Sequence, residues 1–315
     1  SYYMFKKEYL EFLCCPDCRG DLSFNNKHLT CKQCKKQYPL IGEIPILLPL
    51  LMKDDVRLSQ QKWEEEYGKT LHKNKMIKLK KDFENTYLES TMKYMRQIFR
   101  SSNNKKYLEI GCGPFFIGRE LAKRGAFAVG IDYSMGALRL AKFYLEEGGL
   151  ENYLLVCGDI TKMPFKQGVF DLLYGGGVIE HFKDTVPVVK ENFRVLKKGG
   201  VAFNTVPHLN LGSLTYRQVW GNIPNAPILK EIAELVHVKF LKGKYMTYGY
   251  EYSFTKKSLQ KIFEKAGFKK KHIKIDRFEV PLVFEYIRSK ILKNIATRIA
   301  RSGLFWPVVY VQVKK

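Results

Sequence analysis

Short apolar runs alternate with helical patterns over the last two thirds of the chain. KYLEIG (106–111) reads as a buried strand, and FIGRELAKRG (116–125) as a helix ended by glycine. AVGID (128–132) predicts a second strand and ALRLAKFYLEEGG a second helix. NYLLVCGD (152–159), FDLLYGG (170–176) and VAFNTVP (201–207) predict three more strands, with VPVVKENFRVLKKGG a helix between the last two. FTKKSLQKIFEKAGF (254–268) has amphipathic spacing with Thr255 as its N-cap, and KHIKIDRF and PVVYVQV (307–313) predict a closing strand pair. Strands alternating with helices in this way predict an α/β domain, doubly wound around a mostly parallel seven-stranded sheet.

Two different patterns precede it. Residues 51–104 are charged and helix-compatible, and they predict a helical linker; the family resemblance given below implies that the stretch around Trp63 and Tyr67 lies over the ligand as a lid. Residues 1–50 hold five of the seven cysteines and close on the Pro-punctuated run YPLIGEIPILLPLL. The domain scheme is therefore 1–50, 51–104 and 105–315, the last with additions at about 208–252 and 281–304.

Four cysteines fall in two Cys-x-x-Cys pairs, Cys15/Cys18 and Cys31/Cys34, twelve residues apart. Two such knuckles close a tetrahedral thiolate site, which predicts structural zinc with no open coordination position, in a reducing compartment. Cys14 is expected to point away from the metal, and a redox role would not need the second pair. The pattern of residues 10–49 resembles the small zinc-ribbon activator subunits that partner tRNA, rRNA and protein methyltransferases, with Glu43 interrupting the usual Gly-Ile-Pro.

The strand ends carry the second set of candidate residues. Glu109-Ile-Gly111-Cys112-Gly113 follows a strand and opens a helix, where backbone N–H groups can face a ligand. A dinucleotide turn would place a third glycine where Phe116 stands, and Glu109 suits a cationic ammonium group better than phosphates. Asp132 closes the second strand, placed for both hydroxyls of a ribose. Asp159 closes the third, placed for an adenine amino group, with Ile160 and Met163 beside the ring. Each acid alone could be a helix cap or turn residue; three at successive strand ends point to S-adenosylmethionine (SAM).

Across about residues 60–315 these features resemble the class I, Rossmann-like, SAM-dependent methyltransferases of type 11. The matching stretches are LEIGCGPFFIGRELAKRG (Phe115 replacing the commonest third glycine), GIDYS, GDITKMPF, FDLLYGGGVIEHF, LKKGGVAFNTVP and YSFTKKSLQKIFEKAGF. The resemblance implies that Gly111, Gly113, Asp132, Tyr133, Asp159 and Ile160 contact SAM, and that Gly176 or Gly177 lies beside its sulfonium.

Chemistry on the acceptor leaves three candidates. His181 is either a proton acceptor or a cap of the turn after the fourth strand, Glu180 is an alternative base, and His208 follows the fifth strand. Tyr174 and Tyr248 are candidates for shaping the acceptor pocket, with core packing as the ordinary alternative.

Charge bears on the partner. The formal net charge is +23, and residues 256–315 hold 16 Lys/Arg against 4 Asp/Glu. That balance suits nucleic acid, an anionic membrane face or a phosphorylated substrate, or else lysine used for solubility. In 281–304, Val283, Ile287, Ile291 and Ile295 recur at four-residue spacing with basic residues largely elsewhere, as in a helix lying on an anionic bilayer or packed on a core. The expected acceptor is a small molecule or lipid-linked compound, methylated on oxygen or carbon. RNA gripped by the ribbon and lysines is the alternative, although no Asn-Pro-Pro-Tyr or Asp-Pro-Pro-Tyr motif of base-amine methylation is present; a silent SAM-binding scaffold is a third, and DNA is not expected. The start SYYMFKKEYLEFL has no signal-peptide pattern and no run of about 18 apolar residues occurs, so a cytoplasmic chain is expected, peripheral to the inner membrane face at most.

Overall fold

The structure is a computed structural model that describes residues 5–51, 54–71, 73–99, 103–244, 246, 249–280 and 289–315. The ribbon comes first, as strands β1 (Leu22–Phe24), β2 (His28–Cys31), β3 (Gln37–Ile41) and β4 (Ile44–Leu47), joined antiparallel in succession. Helices α1 (Asp54–Thr70), α2 (Lys73–Phe83) and α3 (Glu89–Ile98) follow.

The α/β unit then runs β5 (Lys106–Ile110), α4 (Phe116–Lys123), β6 (Phe127–Asp132), α5 (Met135–Glu147), β7 (Tyr153–Gly158), β8 (Phe170–Gly176), α6 (Val186–Val195) and β9 (Leu196–Pro207). The first addition holds α7 (Leu211–Leu214), β10 (Ile223–Pro224), α8 (Leu229–Glu234) and β11 (Tyr252–Ser253). The chain closes with α9 (Lys256–Lys265), β12 (Ile273–Arg277), α10 (Lys290–Ala300) and β13 (Val308–Lys314).

The strands β7-β6-β5-β8-β9 are parallel, and β13 enters antiparallel between β9 and β12. β7 is buried along its whole length, as a strand covered on both faces must be, whereas β12 at the edge is half exposed.

The expected seven strands are present, but the sheet has eleven. β4 pairs parallel with β7 (Ile46 opposite Cys157, Leu47 opposite Gly158), so the ribbon strands extend it from that edge. Apolar residues of the ribbon, among them Leu13, Leu29 and Tyr38, share a core with Leu154, Val156 and Phe165. The joint is also polar: Cys14 N–H donates to the Pro164 carbonyl (2.9 Å), and Lys166 N–H to the Phe12 carbonyl (2.8 Å). Arg19 bonds Glu191 (3.1 Å), which also holds Arg194 (2.6 Å). Ribbon and α/β unit are one packed body at this edge.

The fifth strand starts at Leu196, five residues before the expected 201, because Leu196 already pairs with Phe170; a bulge containing Gly199 (φ +81°) follows before Val201 pairs with Leu172. Tyr248, Val283, Ile287 and the segment 281–288 lie outside the described residues.

Candidate functional site

The four thiols of the two knuckles lie within 4.8 Å of one another. A tetrahedron with metal–sulfur bonds of about 2.3 Å has edges of about 3.8 Å. The closest pairs, Cys15–Cys34 at 3.7 Å and Cys18–Cys31 at 3.4 Å, match that edge, so the donor set fits zinc. Each knuckle folds alike: Arg19 N–H returns to the Cys15 carbonyl and Lys35 N–H to that of Cys31, with Arg19 and Lys35 left-handed (φ 65° and 64°). Tyr38 brings its hydroxyl to 3.0 Å from Cys15 Sγ, a supporting contact with no sequence signal. Cys14 is outside the cluster, buried at the joint, where burial raises its thiol pKa. Glu43 (φ 69°) sits in the β3–β4 turn, and its carboxylate accepts Phe5 N–H (2.9 Å).

The carboxyl ends of β5, β6, β7 and β8 meet at a second site. Gly111 and Gly113 have φ of +54° and +49°, conformations that disfavour side chains. A Cβ at Gly111 would lie 2.8 Å from the Val178 methyls, and one at Gly113 2.8 Å from the Tyr67 hydroxyl. Phe115, where a third glycine is commonest, also takes φ +61°, and its fully buried ring anchors the turn.

Asp132 is 6% exposed and accepts N–H from Gly113 and Ser134, each at 2.9 Å. Burial raises its pKa to about 6, against the opposing pull of those N–H groups. Glu109 accepts from Tyr107 (2.9 Å) and from Gly118 N–H (2.8 Å), and burial pushes it to about 8. Asp159 accepts Thr161 N–H (2.7 Å), an N-cap of the short turn Ile160–Lys162.

Three cavities converge on Gly176. The first, about 170 Å³, is lined by Asp132, Tyr133, Ile160, Gly176, Trp63 and Tyr67 among others. Its neighbour, about 280 Å³, is lined by Glu109, Gly113, Phe116 and Tyr174, and shares Tyr67, Gly111 and Gly176 with the first. The third, about 250 Å³, also touches Gly176 and is lined by Tyr174, Phe278, Val280, Phe83 and Tyr87 among others. A nucleoside with a vicinal diol suits the first, a cationic amino-acid end the second, and a separate apolar molecule the third. The lid helix α1 is tied over this junction by Glu64, which accepts from the Ser134 hydroxyl (2.6 Å) and Gly136 N–H.

The remaining candidates divide. His181 lines the first cavity; its Nδ1 lies 2.5 Å from the Tyr250 carbonyl, its ring meets Trp63 edge-on, and burial lowers its pKa. Glu180 lines the third cavity, 4% exposed, with its pKa raised by burial to about 8. His208 faces Asn210 (3.1 Å) and lines none of the three cavities, although Thr205, Val206 and Pro207 line the third. Asp159 and Met163 also stand behind the walls, with Ile160 in front. Sequence reading passed over Arg217 and Glu251, paired at 2.7 Å beside Glu180.

Residues 108–204 match the methyltransferase-domain family, and residues 6–42 match the Trm112p-like proteins. A ubiquinone biosynthesis O-methyltransferase of Pelagibacter ubique is 31% identical over 114 residues, 36% of this chain and 46% of that protein. A demethylmenaquinone methyltransferase of Lactococcus lactis is 29% identical over 178 residues, 51% of this chain and 64% of its own length. The chain thus spans about half to two thirds of those two relatives. Among solved structures, Haemonchus contortus phosphoethanolamine N-methyltransferase 2 in complex with S-adenosyl-L-methionine has TM-score 0.55 at 17% identity, over 86% of this chain and 61% of that one. A complex of the Haloferax volcanii Trm112 methyltransferase activator with a methyltransferase has TM-score 0.52 at 17% identity, over 82% and 96%. The likenesses to solved structures are those of fold.

Proposed function

We propose that this chain, a methyltransferase domain carrying its own Trm112p-like zinc ribbon, transfers the methyl group of SAM to a small or lipid-linked acceptor. SAM supplies an electrophilic methyl on a sulfonium centre, so the protein's main task is alignment. Asp132 and Ile160 would hold the nucleoside, and Glu109 with the N–H groups at Gly111 and Gly113 the amino-acid end. Gly176 lines all three cavities, and a side chain there would collide with the Tyr174 hydroxyl.

The observation that carries the acceptor class is the wall of that third cavity. It is built chiefly of aromatic and aliphatic side chains, and no residue of the ribbon lines it. The quinone-pathway names of the relatives fit an apolar acceptor. The ribbon family, the Trm112 neighbour and the net charge of +23 favour RNA as the second reading.

The reading extends to a membrane face. Ile291, Leu292, Ile295 and Ile299 on α10 are each 48–73% exposed, beside Lys290, Lys293 and Arg298, and residues 281–315 contain one acid, Glu285. An anionic bilayer suits that combination, and we place the protein in the cytoplasm, touching its inner surface. No helix among the described residues is long and apolar enough to cross a membrane.

The test uses SAM labelled in its methyl group, with a total lipid extract and total RNA of the source cells as competing acceptors. Label is expected in the lipid extract; label confined to RNA overturns the reading.

A further inference from the structure

Helix α1 lies over the cofactor cavities, yet it is shallowly seated. None of its described residues 60–70 is buried, and the half-buried ones are Gln60, Trp63, Glu64, Tyr67 and Thr70. That spacing turns one stripe of the helix to the body and leaves the rest in water. On the stripe, Trp63 and Tyr67 stack (5.6 Å, 24°) and line the nucleoside cavity. An element with so little apolar area beneath it opens at small cost, as the cover of a ligand site must.

What fastens α1 is polar. Glu64 accepts from the Ser134 hydroxyl (2.6 Å) and from Gly136 N–H (3.0 Å), at the N-cap and first turn of α5. Gln60 adds one bond, from Nε2 to the Tyr133 carbonyl (2.9 Å). A carboxylate suits this place, because a helix N-terminus leaves N–H groups unpaired and carries positive potential. Tyr133 and Ser134 directly follow Asp132, whose carboxylate takes Ser134 N–H (2.9 Å). The fastening of α1 therefore adjoins the residue assigned to the ribose.

Gly136 sets how closely α1 approaches. A Cβ there would lie 3.1 Å from Tyr67 Cβ and 3.4 Å from the Gly68 nitrogen, so bare backbone lets the two helices meet. Alanine would serve α5 itself better, since glycine is the weaker helix former.

We propose that Glu64 is a positioning residue for cofactor exchange: its carboxylate clasps α1 to the N-terminus of α5, and SAM enters and S-adenosylhomocysteine leaves when the clasp lets go. Glu64 lines none of the three cavities, so it acts on the ligand through Trp63 and Tyr67. The inference needs only the cofactor and holds for either class of acceptor.

The experiment follows S-adenosylhomocysteine association and release by stopped-flow tryptophan fluorescence on the full-length, zinc-loaded chain, with Trp63 at the cavity wall as reporter. Glu64→Ala is expected to speed release about 10–100-fold with association no slower, because bonds to a charged group are lost. Glu64→Gln keeps an acceptor oxygen without the charge and should fall between Glu64→Ala and the wild type. Gly136→Ala separates a clasp from plain stabilisation. Its methyl group pushes α1 outward while adding helix propensity to α5, so release should quicken at least about threefold with no fall in the melting temperature of the ligand-free chain. Release from Glu64→Ala within threefold of wild type overturns the clasp. Slower association with unchanged release also overturns it, since that marks damage to the cavity and not to its cover. Faster release that comes only with a lowered melting temperature, in Gly136→Ala as in Glu64→Ala, reduces Glu64 to a structural cap and overturns the proposal too.

Discussion

At Asp132 both carboxylate oxygens already hold backbone N–H groups, from Gly113 and Ser134, so the residue ties the glycine turn to the next helix. A ligand's hydroxyls must share those same oxygens. Asp132→Asn would set an amide donor against one N–H donor, and S-adenosylhomocysteine affinity should fall on the order of 10–100-fold by calorimetry. The acid also predicts a pH dependence. Its folded pKa is raised to about 6, so ionisation opposes the unliganded fold as pH climbs from near 4 toward 6. Ligand affinity runs the other way, weakening below about pH 6 as the carboxyl protonates; a flat affinity from pH 5 to 8 would contradict this assignment. That Glu109, Gly111 and Asp132 stand together at the strand ends was legible from their spacing, whereas Gly176 or Gly177 came from the resemblance. That Glu180 and His181, neighbours on one short turn, line different cavities was not legible, because a three-residue turn has no periodicity that fixes side-chain direction.

Among the elements, most with local patterns were read correctly, although the helix expected through LKKGG ends at Val195 and those five residues open β9. β8 occupies 170–176 as expected, and Thr255 caps α9 by accepting Ser258 N–H (3.0 Å). The pairing of β4 with β7 was invisible, since two parallel strands more than a hundred residues apart leave no local signature. That pairing makes the zinc knuckles part of the main sheet's edge. Removing the metal with a strong chelator should therefore lower the melting temperature of the whole chain by on the order of 10 °C. One zinc per chain should be recovered by elemental analysis; a metal-free chain of unchanged melting temperature would count against a structural metal. For α10, the outward Ile291 and Ile295 should enter the lipid face. Ile291→Asp/Ile295→Asp should cut co-sedimentation with phosphatidylglycerol-containing vesicles at least about tenfold, and high salt should weaken binding of the wild type. Binding that persists in the double variant would remove α10 from the interface.

In the whole molecule, ribbon and acceptor cavity lie at opposite sides of the sheet: the ribbon joins at β7, while the cavity opens beside β8, β9 and β13. On the reading proposed above, such separation would give the ribbon a holding role and leave acceptor choice to α1–α3 and the additions after β9 and β12. Those additions were visible as long segments between predicted strands, and the helical spacing of the second reappears in α10; the contents of the first were not legible, because short 3-10 and π turns carry little periodicity. A crystal structure with S-adenosylhomocysteine tests this account most directly. Its sulfur is predicted beside Gly176, facing the aromatic cavity that contains Tyr174, Glu180 and Phe278, with the ribose on Asp132. A sulfur that faces an open basic groove, or a ribose held away from Asp132, would contradict it.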